Sequence, residues 1–186
     1  AKTYYFDDVV FVPASGGGGT WSPITFDASA VTYTLTGFGG ADDSTVIVDP
    51  IGGTNKVAKV VKSATAELWA GTTVSTEPNN SVPALPFTAS STKMTVRVWS
   101  PDAGIQVRLK VETVGNPTRS VETEATTTVA NAWEKLTFNF ANQAAGTAPL
   151  NLTYTYNRAS IFFNFGVTGA TAGAKTYYFD DVTFGP

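Results

Sequence analysis

The same strand-like sequence stands at both ends of this chain. Residues 1–13 read AKTYYFDDVVFVP and residues 174–186 read AKTYYFDDVTFGP, identical at eleven of thirteen positions. Nothing between them repeats either copy. Internal repetition of this kind marks a unit used more than once. The economical reading makes 174–186 the last strand of a domain, and 1–13 the last strand of a preceding, nearly identical one. Residues 14–20, Ala-Ser-Gly-Gly-Gly-Gly-Thr, are a flexible linker by composition. The expected organisation is a closing strand over 1–13, a linker over 14–20 and one module over 21–186. A strand with one apolar face is seldom stable alone. The leading copy is therefore expected to pair along an edge of its own domain or to fill the last-strand slot of a neighbour. The chain starts Ala1-Lys2 with neither initiator Met nor signal peptide, and reads as a mature product or an excised piece.

Between the copies, short alternating runs are separated by turn clusters, the pattern of an all-β, two-sheet antiparallel sandwich. Strands are predicted over 22–28, 31–38, 44–49, 55–62, 66–75, 92–100, 104–113, 119–129, 132–140, 158–168 and 175–184. The turn signals include Asp49-Pro50, Pro78-Asn79-Asn80, Ser100-Pro101-Asp102 and Gly115-Asn116-Pro117. No stretch keeps a 3.6-residue apolar period over three turns, so helix should be nearly absent. Charged residues make up 15% of the 186, against roughly 25% in ordinary globular proteins.

Composition removes whole chemistries. With no Cys and no His there is no thiolate nucleophile, no Ser–His dyad and no nitrogen- or sulfur-ligated zinc. A net charge of −3, with Lys and Arg scattered singly, gives no basic patch for nucleic acid. No run of 18 apolar residues is present to form a membrane-spanning helix. The acidic residues Glu67, Glu112, Glu122, Glu124 and Glu134 are scattered among threonines without a joining motif, which argues against a paired-carboxylate hydrolase.

Alternation assigns faces. Met94, Val96 and Val98 oppose Thr95, Arg97 and Trp99; Val107, Leu109 and Val111 oppose Arg108 and Lys110. Leu136, Phe138 and Phe140 oppose Trp133 and Lys135; Ile161, Phe163, Phe165 and Val167 oppose Phe162 and Asn164. The first set of each is the core. If the strands are neighbours, the others form one outward face that mixes indole rings with Arg, Lys and Asn. Such a face suits a neutral sugar polymer, whose C–H faces stack on aromatic rings and whose hydroxyls need planar polar partners. The candidate binding residues are Trp69, Trp99, Arg97, Arg108, Lys110 and Asn164. Trp133 equally well closes the end of the core, and Arg108 and Lys110 equally well solvate a sheet face.

Asp180 sits in Tyr178-Phe179-Asp180-Asp181-Val182, where alternation puts it on the face of Val182 and Phe184. A carboxylate there requires a partner or a metal. Ca²⁺ held by carboxylate and backbone oxygens is the expected neutraliser, with Asp27 as second ligand because first and last strands of a sandwich often lie side by side. Hydrogen bonds from backbone N–H groups are the alternative.

Several segments taken together carry a family resemblance: Pro-Ile-Thr-Phe-Asp, Lys-Val-Ala-Lys-Val-Val-Lys, Trp-Ala-Gly, Val-Trp-Ser-Pro, Val-Arg-Leu-Lys-Val-Glu, Trp-Glu-Lys-Leu-Thr-Phe-Asn-Phe and the terminal Thr-Tyr-Tyr-Phe-Asp-Asp-Val. Over residues 21–186 the chain resembles non-catalytic carbohydrate-binding modules with the galactose-binding-like jelly-roll fold. Families four, sixteen and twenty-two, which accompany laminarinases and other secreted bacterial glycan-degrading proteins, are the nearest in character. The resemblance implies a jelly roll, a structural Ca²⁺ at Asp180 and Asp27, an extracellular or cell-surface setting, neighbouring copies of the module, and a polysaccharide ligand. A β-glucan, β-1,3-linked as the first expectation, is the implied glycan. The competing expectation is a structural repeat of a bacterial adhesin or surface filament, assembled through its N-terminal strand.

Overall fold

The computed structural model describes residues 20–185. The expectations for the leading strand over 1–13 and nearly all of the linker over 14–20 lie outside these residues. Among the described residues there are ten strands: β1 (Thr34–Phe38), β2 (Asp43–Val48), β3 (Lys56–Lys62), β4 (Gly71–Ser75), β5 (Lys93–Ser100), β6 (Gln106–Thr113), β7 (Asn116–Thr126), β8 (Ala132–Asn139), β9 (Arg158–Phe163) and β10 (Lys175–Phe184). They form two five-stranded antiparallel sheets, β1-β4-β9-β6-β7 and β2-β3-β10-β5-β8, packed face to face as a jelly-roll sandwich. Among the described residues the helix is a four-residue α1 (Gly169–Ala172).

Alternation predicts the inner faces correctly except past the end of the 158–163 strand, where Phe165 and Val167 are only half-buried. Met94, Val96, Val98, Val107, Leu109, Val111, Leu136, Phe138, Ile161 and Phe163 are all buried. The sheets meet across Phe163 of β9 and Tyr177 of β10, whose rings stack at 4.7 Å with 5° between planes. Burying side chains of this size stabilises by roughly 2–3 kcal/mol each.

Several expected elements are shorter, for local reasons. Residues 22–28 form no strand: only Ile24 pairs, exchanging two 3.0 Å hydrogen bonds with Val182. Pro23 has no N–H to donate, and Phe26 turns the chain at φ 59°. The expected strand 66–75 survives as β4 alone, because Ala66 and Ala70 make three-residue turn bonds to Ser63 and Glu67. β9 ends at Phe163, since Asn164 adopts a left-handed φ of 47°. That turn moves Phe165 out of the core set: its ring meets Phe162 edge-on at 5.9 Å on the outer side of the sheet.

A bulge corrects the placement of Asp180. Tyr177 and Phe179 point into the core, so Asp180 points outward with Tyr178. Asp181 then turns at φ 49° and the register with β5 shifts, so that Val182 points inward again. Asp180 is therefore on the opposite face from Val182, yet only 2% exposed.

Candidate functional site

The outer face of the β1-β4-β9-β6-β7 sheet is built from aligned cross-strand rows. Phe162, Arg108 and Glu124 are register partners on β9, β6 and β7. In the next row Thr36, Thr73, Ser160, Lys110 and Glu122 cross all five strands. The third row sets Arg158 opposite Glu112 and Glu112 opposite Ser120. Directly opposed side chains on one face interact, and here opposite charges face each other.

The charges are fully engaged. Arg108 Nε donates to Glu124 Oε1 at 2.7 Å and Nη1 to Glu122 Oε2 at 2.8 Å, while Nη2 also bonds Glu124. Glu112 lies between Lys110, at 2.8 Å, and Arg158, at 3.0 Å. Arg158 also donates to the carbonyls of Asn79 and Asn80 at 2.9 and 3.0 Å, tying the 79–80 turn to the sheet. The hydroxyls of Thr73 and Ser160 meet at 2.8 Å.

Aromatic rings close one end of this face. Trp69 lies nearly parallel to Phe38, 6.2 Å away with 20° between planes, and Phe38 meets Phe162 edge-on at 5.6 Å. Arg108 lies over the Phe165 ring, 3.6 Å from its centroid. Trp69 is 47% exposed, so much of its indole is open to a ligand. Two glycines make room for these rings: a Cβ at Gly71 would stand 2.6 Å from Phe162 Cδ1, and one at Gly39 would stand 2.8 Å from Trp69 Cζ3. Aromatic end and polar floor together line a cleft of about 540 Å³ that also reaches Asn80 and Pro117.

The predicted single outward face is two faces. Trp69, Arg108 and Lys110 come together in the cleft. Arg97 and Trp99 lie on β5, on the outer side of the opposite sheet. There Trp99 packs edge-on against Tyr178 at 5.4 Å, and Arg97 lies 4.4 Å from the Trp133 ring centroid. Lys135, of β8, shares a second groove of about 420 Å³ with Arg97 and Trp133. Asn164 is on neither face: it occupies the turn after β9, where its carbonyl accepts from Lys62 Nζ at 2.9 Å. Phe38, Arg158, Glu112 and Glu122 line the cleft without having been singled out as binding residues. The register of Arg158 with Glu112 carried a signal, but only once β9 is known to lie beside β6.

The expected metal ligands are close to one another, next to the β2–β3 turn. Asp180 Oδ2 accepts from Asn55 Nδ2 at 2.9 Å and lies 3.8 Å from Arg97 Nη1, while its buried Oδ1 has no partner. Burial pushes the Asp180 carboxyl up to about 7; the Asp181 backbone N–H and the Arg97 charge oppose the shift, while the charges of Asp181 and Asp27 add to it. Asp27 Oδ1 accepts from the Lys56 N–H at 2.8 Å. Gly53 leaves a cradle in which a Cβ would stand 2.3 Å from Asn55 Oδ1 and 2.8 Å from Asp49 Oδ2. Among the described residues no group of three or more carboxylate, imidazole or thiolate side chains gathers to hold a metal.

Neither a family model nor a curated protein matches the chain. Its structure is similar to that of the family 11 carbohydrate-binding module of a cellulosomal cellulase from Clostridium thermocellum. That match has 13% identity and a TM-score of 0.51 over 90% of this chain and 97% of the other. The two share a two-sheet β-sandwich fold. A family 11 module in complex with a β-1,3-1,4-mixed-linked tetrasaccharide matches with 11% identity and a TM-score of 0.51, over 89% of this chain and 96% of that one. A family 29 carbohydrate-binding module variant complexed with mannohexaose matches with 11% identity and a TM-score of 0.50, over 89% and 90%. At such identities the similarity is one of module fold.

Proposed function

We propose that the cleft on the β1-β4-β9-β6-β7 sheet binds a polysaccharide chain and that the protein does no chemistry on it. The observation that carries this reading is the joining of an exposed Trp69 ring, backed by half-buried Phe38 and buried Phe162, to a floor of planar, charge-balanced polar groups. Rings accept the C–H faces of a pyranose, and Arg, Glu and Asn edges bond its hydroxyls. A neutral sugar fits because three cations, Arg108, Lys110 and Arg158, are matched by Glu112, Glu122 and Glu124. The same pairing supports a non-catalytic role, since each cleft carboxylate is already bound to a cation. The modules of similar fold whose structures hold a mixed-linkage glucan oligosaccharide or mannohexaose support a glycan ligand. A β-glucan, with β-1,3 linkages, is the specific ligand of this reading, and an extracellular setting follows because such polymers are met outside cells.

A structural Ca²⁺ belongs to the same proposal. The orphaned, buried Oδ1 of Asp180 fits a hard cation held by Asp180, Asp27 and backbone oxygens. The ion would neutralise a carboxylate that burial otherwise disfavours.

Affinity electrophoresis in laminarin, mixed-linkage glucan and xylan gels tests the binding reading. Retardation that Trp69→Ala abolishes is expected. No retardation by any of the three would leave the second reading, a structural repeat of a surface filament, which the near-identity of residues 1–13 and 174–186 favours.

A further inference from the structure

The floor of the cleft is committed to itself. Arg108 bonds Glu122 and Glu124, Glu112 is shared by Lys110 and Arg158, and the hydroxyls of Thr73 and Ser160 meet each other. Asn80 differs. It is an exposed residue of the cleft lining, and its Oδ1 accepts from Thr36 Oγ1 at 3.3 Å. Among the described residues its Nδ2 has no protein partner, so two amide N–H donors stay available at the cleft.

The place of that amide relative to the rings follows from β1. Thr36 and Phe38 stand two residues apart on one face of the strand, about 7 Å. Asn80 is bonded to the first and Trp69 lies along the second. Amide and indole therefore line the same wall of the cleft.

The backbone that carries Asn80 is held in a costly shape. Asn79 and Asn80 both take left-handed φ, 64° and 54°. Asparagine tolerates this better than most residues, yet such backbone persists only where its surroundings fix it. Arg158 does the fixing. Its Nη2 donates to the Asn79 carbonyl at 2.9 Å and its Nε to the Asn80 carbonyl at 3.0 Å, while Nη1 donates to Glu112 Oε1 at 3.0 Å. Behind the turn the N–H groups of Thr76 and Glu77 close on the Ser81 carbonyl at 3.0 and 3.1 Å. One planar guanidinium thus joins the sheet floor to both left-handed residues, and a lysine ammonium has no such fork.

We infer that Asn80 is a ligand-contacting residue of the cleft, donating its amide N–H groups to hydroxyl oxygens of the bound glycan, and that Arg158 is its positioning residue, acting through the two carbonyls it holds. A chain with one pyranose stacked on Trp69 carries the hydroxyls of that unit and its neighbour past the amide. The inference rests on the glycan-binding reading of the cleft and names the group that reads the sugar there.

Affinity electrophoresis in laminarin, mixed-linkage glucan and xylan gels, with a thermal melt of each variant, tests it. Asn80→Gly removes the amide at a φ that suits glycine, so Tm should hold. Affinity, read from retardation against polysaccharide concentration, should fall about threefold to tenfold, the worth of one hydrogen bond. Asn80→Asp keeps the shape and the acceptor for Thr36 but has no N–H, and should fall at least as far. Arg158→Lys keeps a charge facing Glu112 and should also weaken binding. In the Asn80→Gly background it should weaken binding no further, because no amide is left to aim. An equal loss in both backgrounds would show a merely structural Arg158 and overturn the positioning role. Affinity of Asn80→Gly or Asn80→Asp within about twofold of the parent would overturn the contact. Failure of the binding reading itself looks different: the parent chain is then retarded in none of the three gels. Retardation that Trp69→Ala abolishes and Asn80→Gly leaves intact sinks this inference alone.

Discussion

Arg108 lies with its guanidinium carbon 3.6 Å from the centroid of the Phe165 ring, while its N–H groups are taken up by Glu122 and Glu124. The guanidinium is held from the side by two carboxylates and from one face by an aromatic ring, so it is a fixed part of the cleft floor. Lysine offers no planar fork and cannot reproduce this. Arg108→Lys is expected to weaken glycan binding at least tenfold and to lower stability by about 1–2 kcal/mol, a fall in Tm of roughly 2–8 °C for a domain of this size. Calorimetry with and without oligosaccharide checks both.

Trp69 and Trp99 lie on opposite sides of the sandwich, and substitution separates them. Trp69→Ala removes an exposed ring and should lower affinity about tenfold or more, equivalent to about 1.4 kcal/mol or more, with Tm nearly unchanged. Trp99→Ala removes a ring packed on Tyr178. It should lower Tm and leave affinity within twofold. Equal effects of the two on binding would place the ligand elsewhere than the cleft.

Asp180 sets a pH dependence whose sign follows from its raised pKa of about 7 against an ordinary value of 3.8. Below the ordinary value the group is protonated in both states and costs nothing. As pH rises from about 4 to 7 the unfolded chain releases its proton first, so the metal-free fold loses stability until both states are ionised. In EDTA, Tm should therefore fall from pH 5 to pH 8, and Asp180→Asn should flatten that slope. Added Ca²⁺ should restore the loss at pH 8, because a ligand that binds only the native state raises its stability. Melts at pH 8 that are the same in Ca²⁺ and in EDTA would remove the metal.

Lys62 is a buried cation of a different kind. Its Nζ donates to the carbonyls of Phe163, Asn164 and Val167 at 3.3, 2.9 and 2.7 Å, and burial lowers its pKa. It fastens the turn that ends β9 and brings Phe165 to the cleft. Lys62→Met keeps the length of the stem but removes all three donated bonds, leaving the Asn164 carbonyl only the Val167 N–H at 3.3 Å, and should cost about 3 kcal/mol in chemical denaturation. Phe165 should become more accessible to solvent quenchers.

The inner faces were legible in the sequence because strand alternation is a local, period-two property. Val107, Leu109 and Val111 cannot all face inward unless Arg108 and Lys110 face outward. Three things were not legible. Arg97 and Arg108 looked alike by alternation, yet they lie on opposite sheets, since which strands are neighbours depends on crossovers between sheets. Asp180 changed face because a single bulge at Asp181 resets the period. Phe165 joined the cleft because Asn164 took a left-handed turn that few sequences demand.

The sequence by itself therefore determined a β-sandwich, its core residues and the duplicate of its closing strand, all properties of pattern along the chain. Tertiary structure alone decided that Trp69, Phe38 and Phe162 share a cleft with Arg108, Lys110 and Arg158, and that Arg97 and Trp99 do not. Rows across a sheet are made by hydrogen-bond register between strands far apart in sequence, and no local preference specifies that register.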